Sequence, residues 1–243
     1  MRSFWRGAVV GIALGVIVSS SQAYILIDDF TGGYFKATIT GQGNKDNLAS
    51  GLDKAHTYAG HRYTNYTCSG NPFGYTTSFE VGLGEALVTT PGPQDLSTQL
   101  NISYGTDLFE PLRLNMTSED RFEIMLQTDP FGLLAPVWSV SLMDNVGRSV
   151  SSSNYGTIVG GIRFLKTNFT GSSLFDWANV DEFSFNQDWD RTLTAPLSYS
   201  VSEIRAVPEP FSFLPVLFVS LGLRLRTRYK PNLRPTLQTA DSE

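Results

Sequence analysis

His56 and His61 are the only imidazoles in the chain, and Cys68 is its only thiol. Nucleophilic or metal chemistry therefore has few groups to draw on. Both histidines have aromatic neighbours, and neither belongs to a repeated metal-ligand spacing. No Gly-x-Ser-x-Gly elbow occurs to expose a nucleophilic serine. There is no phosphate-cradling loop and no dinucleotide fingerprint. Carboxylates are plentiful, and with so many acids some pair will always look suited to acid–base work. The residues give no specific reason to read an enzyme, and a non-catalytic protein is expected.

Four acids have a spacing worth noting: Asp28 with Asp29 near the start, and Asp181 with Glu182 late in the chain. If the first and a late strand lie close together, these could share a structural Ca²⁺, which takes six to eight oxygens. The alternative is strand-end carboxylates that face water or an arginine. Apart from such an ion, no cofactor is expected. Trp177 and Trp189 sit in polar, acid-flanked sequence beside Asp176, Asp188 and Asp190, which suits a sugar-stacking platform. Core packing is the other reading of Trp189, and it is the expected one for Trp138 in its apolar run. Cys68, with no partner for a disulfide, is expected as a small buried residue. Asn65, Asn101, Asn115 and Asn168 match the N-glycosylation pattern, which is coincidence in a chain rich in Asn, Ser and Thr.

The elements that must position these residues read as strands. Short β-branched and aromatic runs are bounded by Gly, Asn, Asp and Pro, and no twelve-residue stretch keeps a 3.6-residue apolar period. Strands are expected over 24–30, 34–40, 61–67, 76–81, 85–89, 98–104, 121–127, 137–143, 158–165, 180–185 and 197–205. The Asp144-Asn145-Val146-Gly147 run reads as a hairpin turn. Long loops are expected over 32–47 and 147–156, and an irregular acidic stretch over 184–195. So many short strands in one domain, residues 24–206, predict an all-β, two-sheet sandwich of jelly-roll type.

Both ends read as addresses. Residues 1–23 have a basic start, a twelve-residue apolar run and a small-residue close at Ser21 and Ala23, so cleavage before Tyr24 is expected. Signal peptidase is the implied partner. At the other end, Val207-Pro208-Glu209-Pro210 is stiff and extended, because each proline fixes its own φ and restricts the residue before it. A short apolar segment follows, read as a single anchor helix. Arg224, Arg226, Arg228 and Lys230 then form a membrane stop. A polar tail, 231–243, closes the chain. Thirteen apolar residues make a helix of only ~20 Å, short of a ~30 Å hydrocarbon core, which suits a transient inner-membrane anchor.

Of the 18 basic and 23 acidic residues, seven and three lie in the terminal segments, leaving 11 against 20 in the domain, near −9. That balance argues against nucleic acid and anionic membrane surfaces as its partners.

Pro208-Glu209-Pro210, the apolar segment and the arginine cluster, in a chain with a signal peptide, resemble the PEP-CTERM sorting signal over residues 207–230. The resemblance implies a Gram-negative bacterium that makes exopolysaccharide. It implies processing near Pro208-Glu209-Pro210 by an exosortase, with this chain as substrate. The protein would then reach the periplasm, cell surface or extracellular matrix. The domain is more loosely similar to β-sandwich ectodomains of such proteins and to jelly-roll carbohydrate-binding modules. The resembling pieces are Ile27-Asp28-Asp29-Phe30, Gly60-His61-Arg62, Leu100-Asn101-Ile102-Ser103-Tyr104, 112–122 and Val180-Asp181-Glu182-Phe183. The leading expectation is a structural or adhesive surface protein. The alternative is an exopolysaccharide-binding module, and a secreted glycan hydrolase is a distant third.

Overall fold

The computed structural model describes residues 24–91, 94–105, 110–127, 136–193 and 197–208. The expected signal peptide with Ser21 and Ala23 lies outside them. So do Glu209, Pro210, the anchor segment and the four basic stop residues. Among the described residues no helix is long and apolar enough to cross a membrane.

Among the described residues, fifteen strands form two antiparallel sheets. Sheet A contains β1 (Ile25–Asp28), β2 (Phe35–Thr40), β5 (Thr76–Gly82), β6 (Glu85–Thr90), β8 (Glu119–Leu126), β11 (Gly156–Ile158), β12 (Gly161–Leu165) and β15 (Leu197–Pro208). Sheet B contains β3 (Gly43–Ser50), β4 (His61–Gly70), β7 (Gln94–Tyr104), β9 (Val137–Asp144), β10 (Ser149–Ser152), β13 (Thr170–Gly171) and β14 (Val180–Leu193). Sheet A runs β11-β12-β8-β15-β6-β5-β2, and sheet B runs β13-β10-β9-β14-β7-β4-β3. The chain crosses from one sheet to the other between β2 and β3, β4 and β5, β6 and β7, β7 and β8, β8 and β9, β10 and β11, β12 and β13, and β14 and β15. The result is the expected jelly-roll-like sandwich.

The period-2 pattern explains the two layers. In β8, Phe122, Ile124 and Leu126 face the core, and in β14, Phe183, Phe185 and Trp189 do so. Trp138 stacks on Phe185 at 5.5 Å and meets Tyr199 edge-on at 5.2 Å. Burying each of these large rings contributes roughly 1.5–3 kcal/mol. Cys68 is buried and free, and Trp138 is in the core, as expected.

Four local expectations are corrected. The 184–195 stretch is not irregular: β14 continues through it to Leu193, paired with β7 along its length. Asp188 belongs to the outward half of an alternation whose inward half includes Gln187 and Trp189. The loop expected over 32–47 gives way to β3 from Gly43, and that over 147–156 contains β10. β3 is an edge strand of largely polar residues, so no apolar alternation marks it. The 158–165 strand is two: β11 and β12 meet in a hairpin at Val159-Gly160, where Gly160 has φ +74°. The turn at Asp144-Gly147 is present between β9 and β10. At the far end, β15 extends beyond Ala206, pairing Val207 with Arg121 and Pro208 with Glu119.

Candidate binding face

The outer face of sheet B has an unusual chemistry, and strand register shows it. One row across the sheet runs Asp46, Asn65, Asn101, Asn186, Ser139. A second runs Leu48, Tyr63, Ser103, Ser184, Ser141 and on to Ser151. A third runs Asn44, Thr67, Gln99, Asp188, Val137. Apart from Leu48 and Val137 at the flanks, these side chains are amides, hydroxyls and two acids, and none is basic. Ser103 and Ser184 form a floor, 3 % and 8 % exposed, with the half-buried Tyr63 ring beside them.

The amides are held in place. Asn101 Nδ2 donates to Asn186 Oδ1 at 2.7 Å. Asn65 Nδ2 donates to Asn44 Oδ1 at 3.0 Å, and Thr67 Oγ1 donates to the same oxygen at 3.1 Å. An amide carries two donors and two acceptor lone pairs, so each retains capacity for a ligand.

The outer face of sheet A is different in kind. Lys36 pairs with Glu80 at 2.8 Å, Arg205 with Glu123 at 2.7 Å, and Arg121 with both Glu123 and Asp120. Burial would raise the Glu123 pKa, but hydrogen bonds from Arg121 and Arg205 outweigh it and hold the carboxyl below its ordinary value. These charges are matched in pairs, while Arg163, in register with Glu123 on the same face, is exposed and outside them. Arg205 also covers the Tyr24 ring at 4.9 Å, and Arg121 Nη1 donates to the Pro208 carbonyl at 3.4 Å. The first described residue and the last are thus tied to the same cluster.

Three of the four acids considered for a shared ion have their carboxylates engaged elsewhere. Asp28 is fully buried and receives Arg62 Nη1 and Tyr104 Oη, each at 2.8 Å, together with Thr57 Oγ1 and the Phe30 N–H. Asp29 bonds His56 Nδ1 at 2.6 Å, which raises the His56 pKa. Glu182 Oε1 accepts from Ser184 Oγ, and the Asp181 carbonyl accepts from the Leu112 N–H. Among the described residues no group of three or more His, Cys, Asp or Glu is placed to hold a metal. A cation at Asp28 would have to displace the guanidinium.

Trp189 does not stack on ligands. It lies 3 % exposed in the core, because its position in β14 has the inward parity of Phe183 and Phe185. Trp177 is half-buried, edge-on to Phe169 at 5.7 Å and Phe175 at 4.9 Å, with Lys166 over its face at 4.9 Å. The two tryptophans are not brought together into one platform. His61 is buried, its pKa lowered by desolvation, and its Nε2 accepts from the Gly105 N–H at 3.1 Å. It acts as a structural acceptor.

Sequence reasoning missed the amide rows. The signal was present as polar residues at every second position, in Tyr63-Asn65-Thr67, Gln99-Asn101-Ser103 and Ser184-Asn186-Asp188. Only the strand order reveals that these runs are neighbours.

No family model matches the sequence, and no curated protein does. Solved structures overlap it loosely. A family 11 carbohydrate-binding module of the cellulosomal cellulase Lic26A-Cel5E of Clostridium thermocellum is 11 % identical, with 78 % of this chain and 96 % of that one covered and a TM-score of 0.35. The solution structure of CtCBM11 gives 12 %, 79 %, 99 % and 0.36 in the same order. The mannan-recognising module TmCBM27 gives 13 %, 77 %, 99 % and 0.26.

Proposed function

We propose that this chain is a non-catalytic module that binds a neutral polysaccharide on the outer face of sheet B. One observation carries the reading: the contrast between the two outer faces. Sheet A carries charged side chains of both signs, most of them in ion pairs. Sheet B presents ordered amides and hydroxyls in three rows with no basic side chain. Sugar hydroxyls both donate and accept, and so do amides and serines. Among the described residues of the three rows the charged side chains are Asp46 and Asp188, with Glu182 bonded to Ser184 beside them, so an anionic polymer would meet carboxylates in those rows and no cation. A purely structural role gives no reason for that contrast, so binding takes precedence over the structural or adhesive reading.

Affinity electrophoresis of the full chain tests this, with gels containing a neutral β-glucan, a mannan or alginate. Retardation by at least one neutral polymer is expected, and it should persist at about 0.5 M salt because no fixed charge pair drives it. Asn101→Ala with Asn186→Ala should abolish it. Passage of the chain unretarded through both neutral gels would reject the reading.

We infer further that export and sorting deliver the module, through residues 1–23 and the Pro208-Glu209-Pro210 segment. The support is the sequence pattern at both ends. Mass spectrometry of the exported protein, wild type against Glu209→Ala, tests it. Processing near residue 210 is expected in wild type and not in the variant, and intact tails in both would defeat it.

A further inference from the structure

We propose that Phe73 and Tyr75, on the loop between β4 and β5, form a second platform that stacks on the pyranose rings of the same neutral polysaccharide. This rests on the reading of sheet B above and extends it to a site outside the sheet. Phe73 is 67 % exposed and Tyr75 40 %. Their rings stand 6.0 Å apart at 55°. Residues 71–75 contain no charged side chain.

The loop that shows these rings is built, not slack. Asn71 is only 5 % exposed. Its Nδ2 donates to the carbonyls of Gly41 and Tyr75 at 3.0 and 2.6 Å, and its Oδ1 accepts from the Tyr75 N–H at 2.9 Å. The Gly41 N–H donates in turn to the Tyr75 carbonyl at 3.2 Å. Gly74 takes φ +68°, where a side chain would be strained. A buried amide thus clamps the backbone on both sides of two rings that the core does not use. Adjacent exposed rings rimmed by polar residues are a kind of surface on which ligands dock.

Placement and chemistry identify the occupant. β4 ends at Gly70, directly before the loop, and β3 begins at Gly43, directly after the Gly41 contact. The loop therefore lies at the end of sheet B where the row through Asn44 and Thr67 stands. Between them Ser69 Oγ donates to Ser97 Oγ at 3.1 Å, so hydroxyls continue toward the loop. The C–H face of a sugar ring carries slight positive charge and complements the negative face of an aromatic ring. A neutral glycan chain offers both surfaces at once: hydroxyls for the amide rows and apolar ring faces for Phe73 and Tyr75.

The test uses the full chain and the neutral polymer that retards it, in affinity electrophoresis and in titration with its oligosaccharides. Phe73→Ala with Tyr75→Ala should weaken binding about ten-fold, or ~1.4 kcal/mol, with an unchanged thermal midpoint. Phe73→Trp should retain binding, which guards against a folding artefact in the double variant. Wild-type affinity in Phe73→Ala with Tyr75→Ala, while Asn101→Ala with Asn186→Ala loses it, would overturn the platform and leave the sheet B reading standing. Loss in the loop variant alone would support the platform and move the main site off the sheet. No binding by wild type would remove both. If sedimentation shows a wild-type dimer that Phe73→Ala with Tyr75→Ala makes monomeric, a second copy covers the rings and the platform is overturned.

Discussion

Arg62 and Asp28 form a 2.8 Å ion pair in which neither side chain is exposed to solvent. The pair spans the sandwich, because Asp28 ends β1 of sheet A and Arg62 belongs to β4 of sheet B. Arg62 Nη2 also donates to the carbonyls of Gly32 and Gly33, and its guanidinium lies 5.5 Å from the Phe30 ring centroid. Phe30 itself holds φ 59°, a conformation supported by its N–H donating to Asp28 Oδ1. Gly33 packs so tightly that an added Cβ would lie 2.7 Å from Ala49 Cβ.

Removing one partner leaves the other charge buried. Arg62→Met should therefore cost about 3–5 kcal/mol in urea unfolding. The double variant Arg62→Met with Asp28→Asn should recover part of that loss, since the uncompensated charge is gone. A single-variant loss under about 1 kcal/mol would show that water or another group reaches Asp28.

The same pair bears on calcium binding. Since the guanidinium already neutralises Asp28, millimolar Ca²⁺ should leave the thermal midpoint unchanged against an EDTA control. A clear upward shift would mean that the carboxylates rearrange around an ion, by mass action on the folded state.

Trp189 separates a core role from a surface role. Truncation of a buried tryptophan costs roughly 3–5 kcal/mol through lost transfer energy and cavity formation. Trp189→Ala should accordingly lower stability by that order in urea unfolding. Trp189→Phe should lose less and leave polysaccharide binding intact. Loss of binding in Trp189→Phe without loss of stability would return the residue to the surface.

The contrast shows where sequence runs out. Arg121-Phe122-Glu123-Ile124 announces a strand, because its alternation is written in neighbouring residues. Trp189 carries equal local signals for loop and strand: acids on both sides suggest exposure, while only pairing with Thr98 on β7 fixes its inward parity. Asn101 and Asn186 are 85 residues apart in sequence and 2.7 Å apart in space. No local pattern contains that distance. β3 was hidden for a different reason, since an edge strand with both faces wet needs no apolar stripe. The hairpin at Asp144 was legible because turn chemistry is local.

Asp144 supplies the pH dependence. Its Oδ1 accepts the N–H groups of Val146 and Arg148, and its Oδ2 accepts Arg148 Nε at 2.6 Å and the Asp176 N–H at 3.0 Å. Burial would raise its pKa, but these donors together prevail and lower it from 3.8 to about 2. A carboxylate depressed in the folded state stabilises the fold above its unfolded pKa, and that stabilisation fades as pH falls through the folded value. The window is thus about pH 4 down to about pH 2. Asp144→Asn places an NH₂ against one pair of donors and removes the charge, so it should be less stable than wild type at neutral pH. The gap between the two proteins, measured by denaturant unfolding, should narrow steadily as pH falls through the window, because wild type loses there what the variant never had. A gap that stays constant from pH 5 to pH 2 would show that the β9–β10 turn relies on shape alone, with no contribution from the ionised carboxylate.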